Sequence, residues 1–290
     1  MGSLASNVPD VTSDLTPQPT IADVYDQGAA IYAAHWAPVL ERHAHDLAGM
    51  VPRPQDGEGR TVLDVAAGAG TLLPALRPLC GDSAAGGRLV ALDYSAGMLA
   101  LSDPSVPRVQ ADAASLPLRD ECADVAMYSF VLFLLPDARA AVAEAARVLR
   151  PGGCLLAATW GNQVGTGGDD VVEEEVAAAG APPSPDLPRS DELTDTPDRM
   201  RELLEPAGFT DITTTARPLN AQFDAATTLA MRTGSGNLGW RYRQLPPSAQ
   251  ARVRDRVTAR LATLGPEDFL DRSEVQLTTA RRAGRGRSVL

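Results

Sequence analysis

Short apolar runs recur along the first half of the chain, and helical patterns separate them. Val62-Leu63-Asp64-Val65, Arg88-Leu89-Val90-Ala91-Leu92, Asp124-Val125-Ala126-Met127-Tyr128-Ser129 and Cys154 to Trp160 have the length of strands buried on both faces. A shorter run, Arg108-Val109-Gln110-Ala111, reads as a further strand between the second and the third of these. Leu72, Leu73, Leu76 and Leu79 recur at helical spacing after the first run, with Pro74 in the first turn, where a missing N–H costs little. Val142, Ala145, Val148 and Leu149 line one face of a helix that Pro136 and Asp137 open. Arg147 and Arg150 favour its C-terminal dipole, and Pro151-Gly152-Gly153 stops it. Strand and helix in alternation predict an α/β fold with a doubly wound, mostly parallel sheet.

The flanks have a different texture. Residues 1–20 mix Ser, Thr, Asp and Pro without periodicity and read as a disordered lead-in. From Ile21 the pattern is helical, and Tyr25 and Tyr32 share a face. Pro38 is expected to start a second helix through Val39, Leu40 and Leu47. Residues 161–196 combine glycines, an acidic run from Asp169 to Glu175 and several prolines; they read either as a lid or as a solvated, partly disordered insertion. Thr196 then caps a helix with Pro197 at its first position, and Ile212 to Ala216 is a sixth strand. Residues 223–245, with Trp240, Arg241 and Tyr242, either wall a pocket or pack as a helical segment. Val253, Val257, Leu261 and Leu264 share the face of a helix whose other side carries Arg252, Arg254, Arg256 and Arg260, read as a solvated face. Val275 to Ala280 is the last strand, and the tail after it is expected to be disordered. The expected layout is therefore a lead-in (1–20), a helical cap and ligand-binding core (21–160), cap insertions with the sixth strand (161–270), and a last strand with its tail (271–290).

Candidate chemistry gathers where the strands end. Ala66-Ala67-Gly68-Ala69-Gly70 follows the first strand and carries no bulky side chain, so a ligand can approach the backbone closely. The bland alternative is an ordinary tight strand-to-helix turn. A dinucleotide fingerprint needs a third small residue where Leu73 stands. Asp64, just before the loop, would also repel a pyrophosphate. A ligand with a cationic amine and no phosphate suits that carboxylate, and S-adenosylmethionine is such a ligand; its own carboxylate can take loop N–H groups at the helix N-terminus. Asp93 ends the second strand, where a carboxylate can accept from both hydroxyls of a ribose or can cap the helix at Ser95-Ala96. Asp112-Ala113 ends the third strand and can pair with an adenine amino group and ring nitrogen.

Composition removes other classes. The formal charge of −11 opposes a nucleic-acid surface. All 26 basic residues are Arg, which excludes lysine Schiff-base chemistry and the P-loop lysine. Cys80, Cys122 and Cys154 lie far apart with no CxxC, so neither a disulfide framework nor a metal site is expected. No stretch approaches ~18 uninterrupted apolar residues, and no secretory signal pattern precedes Arg42. The expectation is a soluble cytoplasmic protein acting on a small molecule, with no nucleic-acid or membrane partner.

Four stretches together carry a family resemblance: Asp64 to Gly70, Asp93-Tyr94-Ser95-Ala96-Gly97-Met98-Leu99, Asp112-Ala113-Ala114-Ser115-Leu116-Pro117 and Arg147-Val148-Leu149-Arg150-Pro151-Gly152-Gly153. In this order and spacing they resemble class I S-adenosylmethionine-dependent methyltransferases, in particular the small-molecule group that includes the ubiquinone/menaquinone C-methyltransferases. The resemblance covers residues 60–160 well, and residues 21–49 and 201–209 loosely. It implies a seven-stranded Rossmann-like methyltransferase sheet whose last strand is antiparallel, with helical additions at both ends of the chain. The cofactor set expected from the residues and the resemblance is Tyr25, Asp64, Ala66, Ala67, Gly68, Gly70, Asp93, Tyr94, Met98, Asp112, Ala113 and Ser129. Tyr32, Phe130, Phe133, Trp160 and Trp240 are the expected substrate-pocket residues, and His35, at a helix junction, is the candidate catalytic base or else a packing residue. The chain departs from the family at Ala66, where a glycine is usual, and at Phe133-Leu134, where relatives often carry His-His. The function implied is methyl transfer to a small apolar or aromatic acceptor. Alternatives that keep the fold are cyclisation or decarboxylation, and a non-catalytic partner protein.

The choice of cofactor generates a first prediction. With Asp64 and Leu73 set against a pyrophosphate, neither NAD(H) nor NADP(H) binds at micromolar concentration. Titration of the protein's intrinsic fluorescence checks this, and saturable quenching by either nucleotide would refute it.

Overall fold

The computed structural model describes residues 19–284. Both segments expected to be disordered lie largely outside those residues. The helices are α1 (Ile21–Ile31), α2 (Ala37–Gly49), α3 (Leu73–Leu76), α4 (Ala96–Leu101), α5 (Ala138–Val148), α6 (Gly167–Ala178), α7 (Pro197–Leu204), α8 (Ala225–Gly234), α9 (Gly236–Arg243) and α10 (Pro247–Leu261). The strands are β1 (Thr61–Val65), β2 (Arg88–Asp93), β3 (Arg108–Gln110), β4 (Ala123–Ser129), β5 (Leu149–Trp160), β6 (Phe209–Pro218), β7 (Ala221–Gln222), β8 (Leu270–Asp271) and β9 (Glu274–Arg282).

Seven strands form one sheet in the order β3-β2-β1-β4-β5-β9-β6. β3 to β5 are parallel, and β9 runs antiparallel between β5 and β6. The strand order reverses at β1 and β4, so the C-terminal ends of β1, β2 and β4 open a crevice there. β1 is buried along its whole length, as a central strand covered on both faces must be. Leu76, Val62 and Leu156 belong to the core on one side of the sheet; Leu63, Val142 and Leu155 belong to the core on the other. A third apolar cluster joins α6, α8, α9 and α10 through residues such as Val172, Tyr242, Val253 and Val257. This cluster builds the added cap.

Two elements differ from the sequence pattern for local reasons. The helix after the glycine loop is only α3 plus a 3-10 turn at Arg77–Leu79. Pro78 cannot donate to the Pro74 carbonyl, so the α-helix cannot continue. β5 begins at Leu149, not at Cys154, because the chain pairs Leu149 with Ala123 and then bulges before Val125 meets Cys154. Arg150 accordingly ion-pairs with Asp124 at 2.5 Å, and Asp124 also accepts from the Thr61 N–H at 2.7 Å.

The N-terminal cap is one rod rather than two helices. Thr20 and Asp23 form a capping box that starts α1. Tyr32–Trp36 is a π-helical turn joining α1 to α2 without a break. Such turns insert a residue into the helical repeat and recur at functional sites. α1 packs on the α8–α9 junction through glycine: a Cβ on Gly28 would meet Ser235 Cα at 2.9 Å and the Gly234 carbonyl at 3.0 Å. Gly28→Val is therefore expected to separate these helices and destabilise the protein by about 1–3 kcal/mol, the usual cost of overpacking. Thermal unfolding measures this, and an unchanged Tm would show that the helices do not pack through Gly28.

Candidate active site

The glycine loop is held from below by one carboxylate. Ala66, Gly68 and Gly70 all have positive φ, at 59°, 56° and 79°. At Gly68 and Gly70 the absence of Cβ makes this conformation cheap; at Ala66 it is a strained exception. The Gly68 N–H donates to Asp93 Oδ2 at 2.7 Å, and the Ser95 N–H donates to Asp93 Oδ1 at 2.8 Å. Asp93 thereby clamps the loop after β1 to the start of α4. Burial raises its carboxyl pKa, against the lowering effect of the Ser95 and Gly68 N–H groups. Ser95 caps α4 by accepting from the Met98 N–H at 2.9 Å. Its hydroxyl also donates to Asp26 of α1, and Asp26 accepts from the Gly97 N–H at 3.0 Å. The cap and the loop are thus latched together.

A cavity of 470 Å³ opens above this clamp at the sheet's crevice. Of the expected cofactor residues, Tyr25, Ala66, Gly68, Asp93, Tyr94, Met98, Asp112, Ala113 and Ser129 line it. Thr20 and Ile21 close it on one side, and Asp186, Leu187 and Pro188 on another. Asp112 Oδ1 accepts from the Ala114 N–H at 2.8 Å, and among the described residues Oδ2 has no partner. A nucleoside fits these groups. Asp93 keeps acceptor capacity for a diol, Asp112 keeps an oxygen for an amino group, and Gly68 leaves open the space that a Cβ would fill 3.1 Å from Met98 Cε.

Asp64, Ala67 and Gly70 were expected to touch the cofactor and do not line the cavity. The Ala67 N–H is spent on the Leu92 carbonyl at 2.9 Å. Gly70 packs on Ser102, whose Oγ would lie 2.3 Å from an added Cβ. Asp64 is fully buried in β1, and neither carboxylate oxygen has a hydrogen-bond partner. Burial, and then the Asp93 charge, push its pKa up to about 7.

A second cavity of 590 Å³ adjoins the first. Ile21, Tyr25, Tyr32, Phe130 and Leu134 line both. Its wall is aromatic. Tyr25 and Tyr32 meet edge-on at 5.7 Å, Trp36 meets Trp160 at 6.5 Å, and Phe130 meets Trp160 at 5.0 Å. The π-turn carries Tyr32 and Trp36 to this wall. Phe130 has φ +54° and donates its N–H to the Ala158 carbonyl at 2.7 Å, so strain fixes it at the boundary of the two cavities. Burial pushes the Tyr25 pKa up to about 12 and that of Tyr32 higher, which keeps both neutral.

Two expected residues stand apart from this wall. His35 lies on the π-turn but lines neither cavity. It lies near Asp224, whose carboxyl is held below its usual range chiefly by the Thr227 N–H and least by His35. In α9 the lining residues are Asn237 and Leu238. Trp240, two positions on, is turned by about 200° along the helix and lines neither cavity.

The polar half of the second cavity was not foreseen. Asp169, Asp170, Glu173, Arg189, Arg232 and Asp271 line it. Arg232 holds Asp169 by two bonds of 2.6 and 2.5 Å and lies over the Trp36 ring at 5.4 Å. Arg189 holds Asp191 at 2.6 and 2.7 Å and lies over Phe133. The acidic run of residues 169–175 hinted at this, but its arginine partners come from distant segments. The loop at Arg189 is sewn to the turn that follows β4: the Ser190 N–H donates to the Phe133 carbonyl at 3.0 Å, and its hydroxyl to the Leu135 carbonyl at 2.8 Å.

Comparison with known proteins agrees with this geometry. The sequence profile of the methyltransferase domain family matches residues 63–157. A demethylmenaquinone methyltransferase of Mycolicibacterium paratuberculosis is 42% identical over 101 residues, which is 34% of this chain and 41% of that protein. The chain thus aligns with less than half the length of that relative. Among solved structures, the cyclase SpnF superposes with a TM-score of 0.57 at 18% identity, over 93% of this chain and 99% of that one. A Haemonchus contortus phosphoethanolamine N-methyltransferase, in complex with phosphomonomethylethanolamine and S-adenosylhomocysteine, gives 0.52 at 16% identity, over 89% and 57%. The fold is the class I S-adenosylmethionine-dependent methyltransferase fold. Within it, residues 63–157 match the methyltransferase domain family, the chain resembles a quinone methyltransferase over 101 residues, and S-adenosylmethionine is the cofactor this points to.

The buried Asp64 carboxyl sets a pH dependence. Its folded pKa of about 7 exceeds the ordinary 3.8, so the folded state binds its proton more tightly than the unfolded state does. Its stabilising contribution is complete below about pH 4 and is lost as pH rises through about 7. Asp64→Asn is expected to flatten the fall in Tm over that window and to raise Tm at pH 8. Thermal melts of both proteins across the range measure this; parallel curves would refute it.

Proposed function

We propose that this protein transfers a methyl group from S-adenosylmethionine to a small acceptor held in the aromatic cavity. The observation that carries the reading is the meeting of the two cavities at Tyr25, Tyr32, Phe130 and Leu134. The cofactor supplies an electrophilic methyl; an acceptor lone pair forms the new bond while the C–S electron pair stays on sulfur. The residues of this chain act by placement. Asp93 takes the ribose diol, Asp112 with the Ala113 N–H takes the adenine, and the Gly68 loop receives the amino-acid end. Asp64, two positions before the lining residue Ala66, opposes anionic ligands through its charge once ionised. Phe130 and the tyrosine pair wall the transfer point and exclude water. No His lines either cavity among the described residues, and two neutral tyrosines are weak bases. The reading therefore favours an acceptor atom that reacts once positioned, without a strong general base.

Residues 184–190 cover both cavities in this reading and serve as the acceptor lid. The demethylmenaquinone methyltransferase similarity supports methyl transfer over only 34% of this chain. A second reading, cyclisation without methyl loss, draws on the fit of nearly the whole chain to the cyclase SpnF. The fate of the cofactor separates them: methyl transfer yields S-adenosylhomocysteine in proportion to product, whereas cyclisation leaves the cofactor intact.

The binding assignment is tested at Asp93. Asp93→Ala removes the loop clamp and two charge-assisted hydrogen bonds, so S-adenosylhomocysteine affinity is expected to fall by about 2–4 kcal/mol. Isothermal titration of the two proteins measures this; equal affinities would remove Asp93 from the cofactor site.

A further inference from the structure

We infer that the acceptor is a small amphipathic amine, its ring seated on the aromatic wall and its ammonium held between Asp170 and Asp271. This rests on the reading of the 590 Å³ cavity as the acceptor site and goes beyond it to the acceptor's charge.

The first observation is a gap in an otherwise complete pairing. α6 carries five acids, and arginines from other segments neutralise four of them. Asp169 pairs with Arg232, Glu173 with Arg241, Glu174 with Arg260, and Glu175 with both Arg256 and Arg260. Asp170 has no ion pair or hydrogen bond among the described residues, and it lines the cavity with the paired Asp169 and Glu173.

The second observation is independent, because it comes from β8 at the far end of the chain. Asp271 is only 4% exposed and lines the same cavity. Its Oδ1 accepts from the Ser273 N–H at 2.8 Å, and Oδ2 has no partner among the described residues. That oxygen keeps its acceptor capacity, and an entering cation supplies a counter-charge that no described residue supplies.

The cations of the cavity do not offset these charges. Arg189 and Arg232 are each held by a carboxylate through two bonds, so neither offers a free guanidinium fork to an anionic acceptor. With every pair cancelled, Asp170 and Asp271 remain as two uncompensated negative charges. The rings of Trp160, Phe130, Tyr25 and Tyr32 are free of the stacked arginines that occupy Trp36 and Phe133. Aromatic faces beside unpaired carboxylates are the recognition chemistry of an ammonium on an apolar body. The same charges reject carboxylates and phosphates, and a neutral quinone-like acceptor would leave both acids unpaired.

Tryptamine, tryptophol and indole-3-acetate share a ring system and differ in charge. Each is titrated calorimetrically at neutral pH into the protein saturated with S-adenosylhomocysteine. Tryptamine is expected to bind at least about tenfold more tightly than tryptophol, and indole-3-acetate more weakly still. Asp170→Asn and Asp271→Asn should each cut the preference for tryptamine over tryptophol severalfold. Asn at 271 keeps an acceptor for Ser273, and position 170 is exposed on its helix, so both variants retain the fold. Affinity for S-adenosylhomocysteine should stay within about twofold in both variants, because neither residue lines the cofactor cavity. Equal or tighter binding of tryptophol or indole-3-acetate, no binding of tryptamine, or an unaltered preference in both variants would overturn the inference. A direct titration of S-adenosylhomocysteine into the wild-type protein separates the two claims: its failure to bind overturns the methyl-transfer reading alone, while the ligand preference measured without it still tests the inference.

Discussion

The site depends on one carboxylate used twice. Asp93 accepts from the Gly68 N–H on one oxygen and from the Ser95 N–H on the other, so it fixes the loop after β1 relative to the helix after β2. Both donors point toward the same crevice, and the loop's positive-φ residues persist only because that anchor and the Ala67–Leu92 bond over-determine them. Burial opposes ionisation of Asp93, while its N–H donors favour it. A diol at this position would add donors on the side that favours the charge. The group that builds the loop is therefore the group best placed to bind the ligand.

The cap is tied to this anchor rather than laid over it. Asp26 reaches from α1 to Ser95 and to the Gly97 N–H, and Gly97 leaves no room for a side chain: an added Cβ would lie 2.8 Å from Asp26 Oδ1. α1 in turn rests on the α8–α9 junction through Gly28. The glycine loop and the helices lining the larger cavity are thus joined by one series of close contacts. The π-turn at Tyr32–Trp36 lets one continuous rod place Tyr25 and Tyr32 where the two cavities meet and Trp36 on the larger one.

What the sequence disclosed follows the range over which each feature is encoded. The parallel strands and the acids at their ends were legible because a strand, its loop and the next helix are contiguous, and the glycine loop and Asp93 carry their chemistry within a few residues. Asp64 was expected to contact the cofactor and lies buried outside the cavity lining, since a carboxylate inside a strand gives no sign of which face it takes. Trp240 was named for its size, but helical phase placed Asn237 and Leu238 on the cavity instead. His35 attracted notice as a rare side chain, yet it is Tyr32 and Trp36 from the same turn that reach the wall. The arginine pairing of α6 was invisible, because its partners Arg232, Arg241, Arg256 and Arg260 lie far along the chain and their spacing reveals only a polar helix face.

That contrast also bears on how such a fold acquires an acceptor. The cofactor cavity is drawn mostly from strand ends that the sheet topology brings together, and changing one of them disturbs the core. The larger cavity takes its polar half from α6, the loop at Arg189, α8 and β8; of these, α6 and α8 pack in a cluster separate from the two faces of the sheet. Charges there can be exchanged pairwise, acid against arginine, without touching β1 to β5. Phe130 belongs to both cavities, and its strained backbone is held by the β4–β5 ladder rather than by the cap. The boundary of the two cavities is thereby fixed by the sheet, while the charged lining of the larger cavity comes from the added helices and loops.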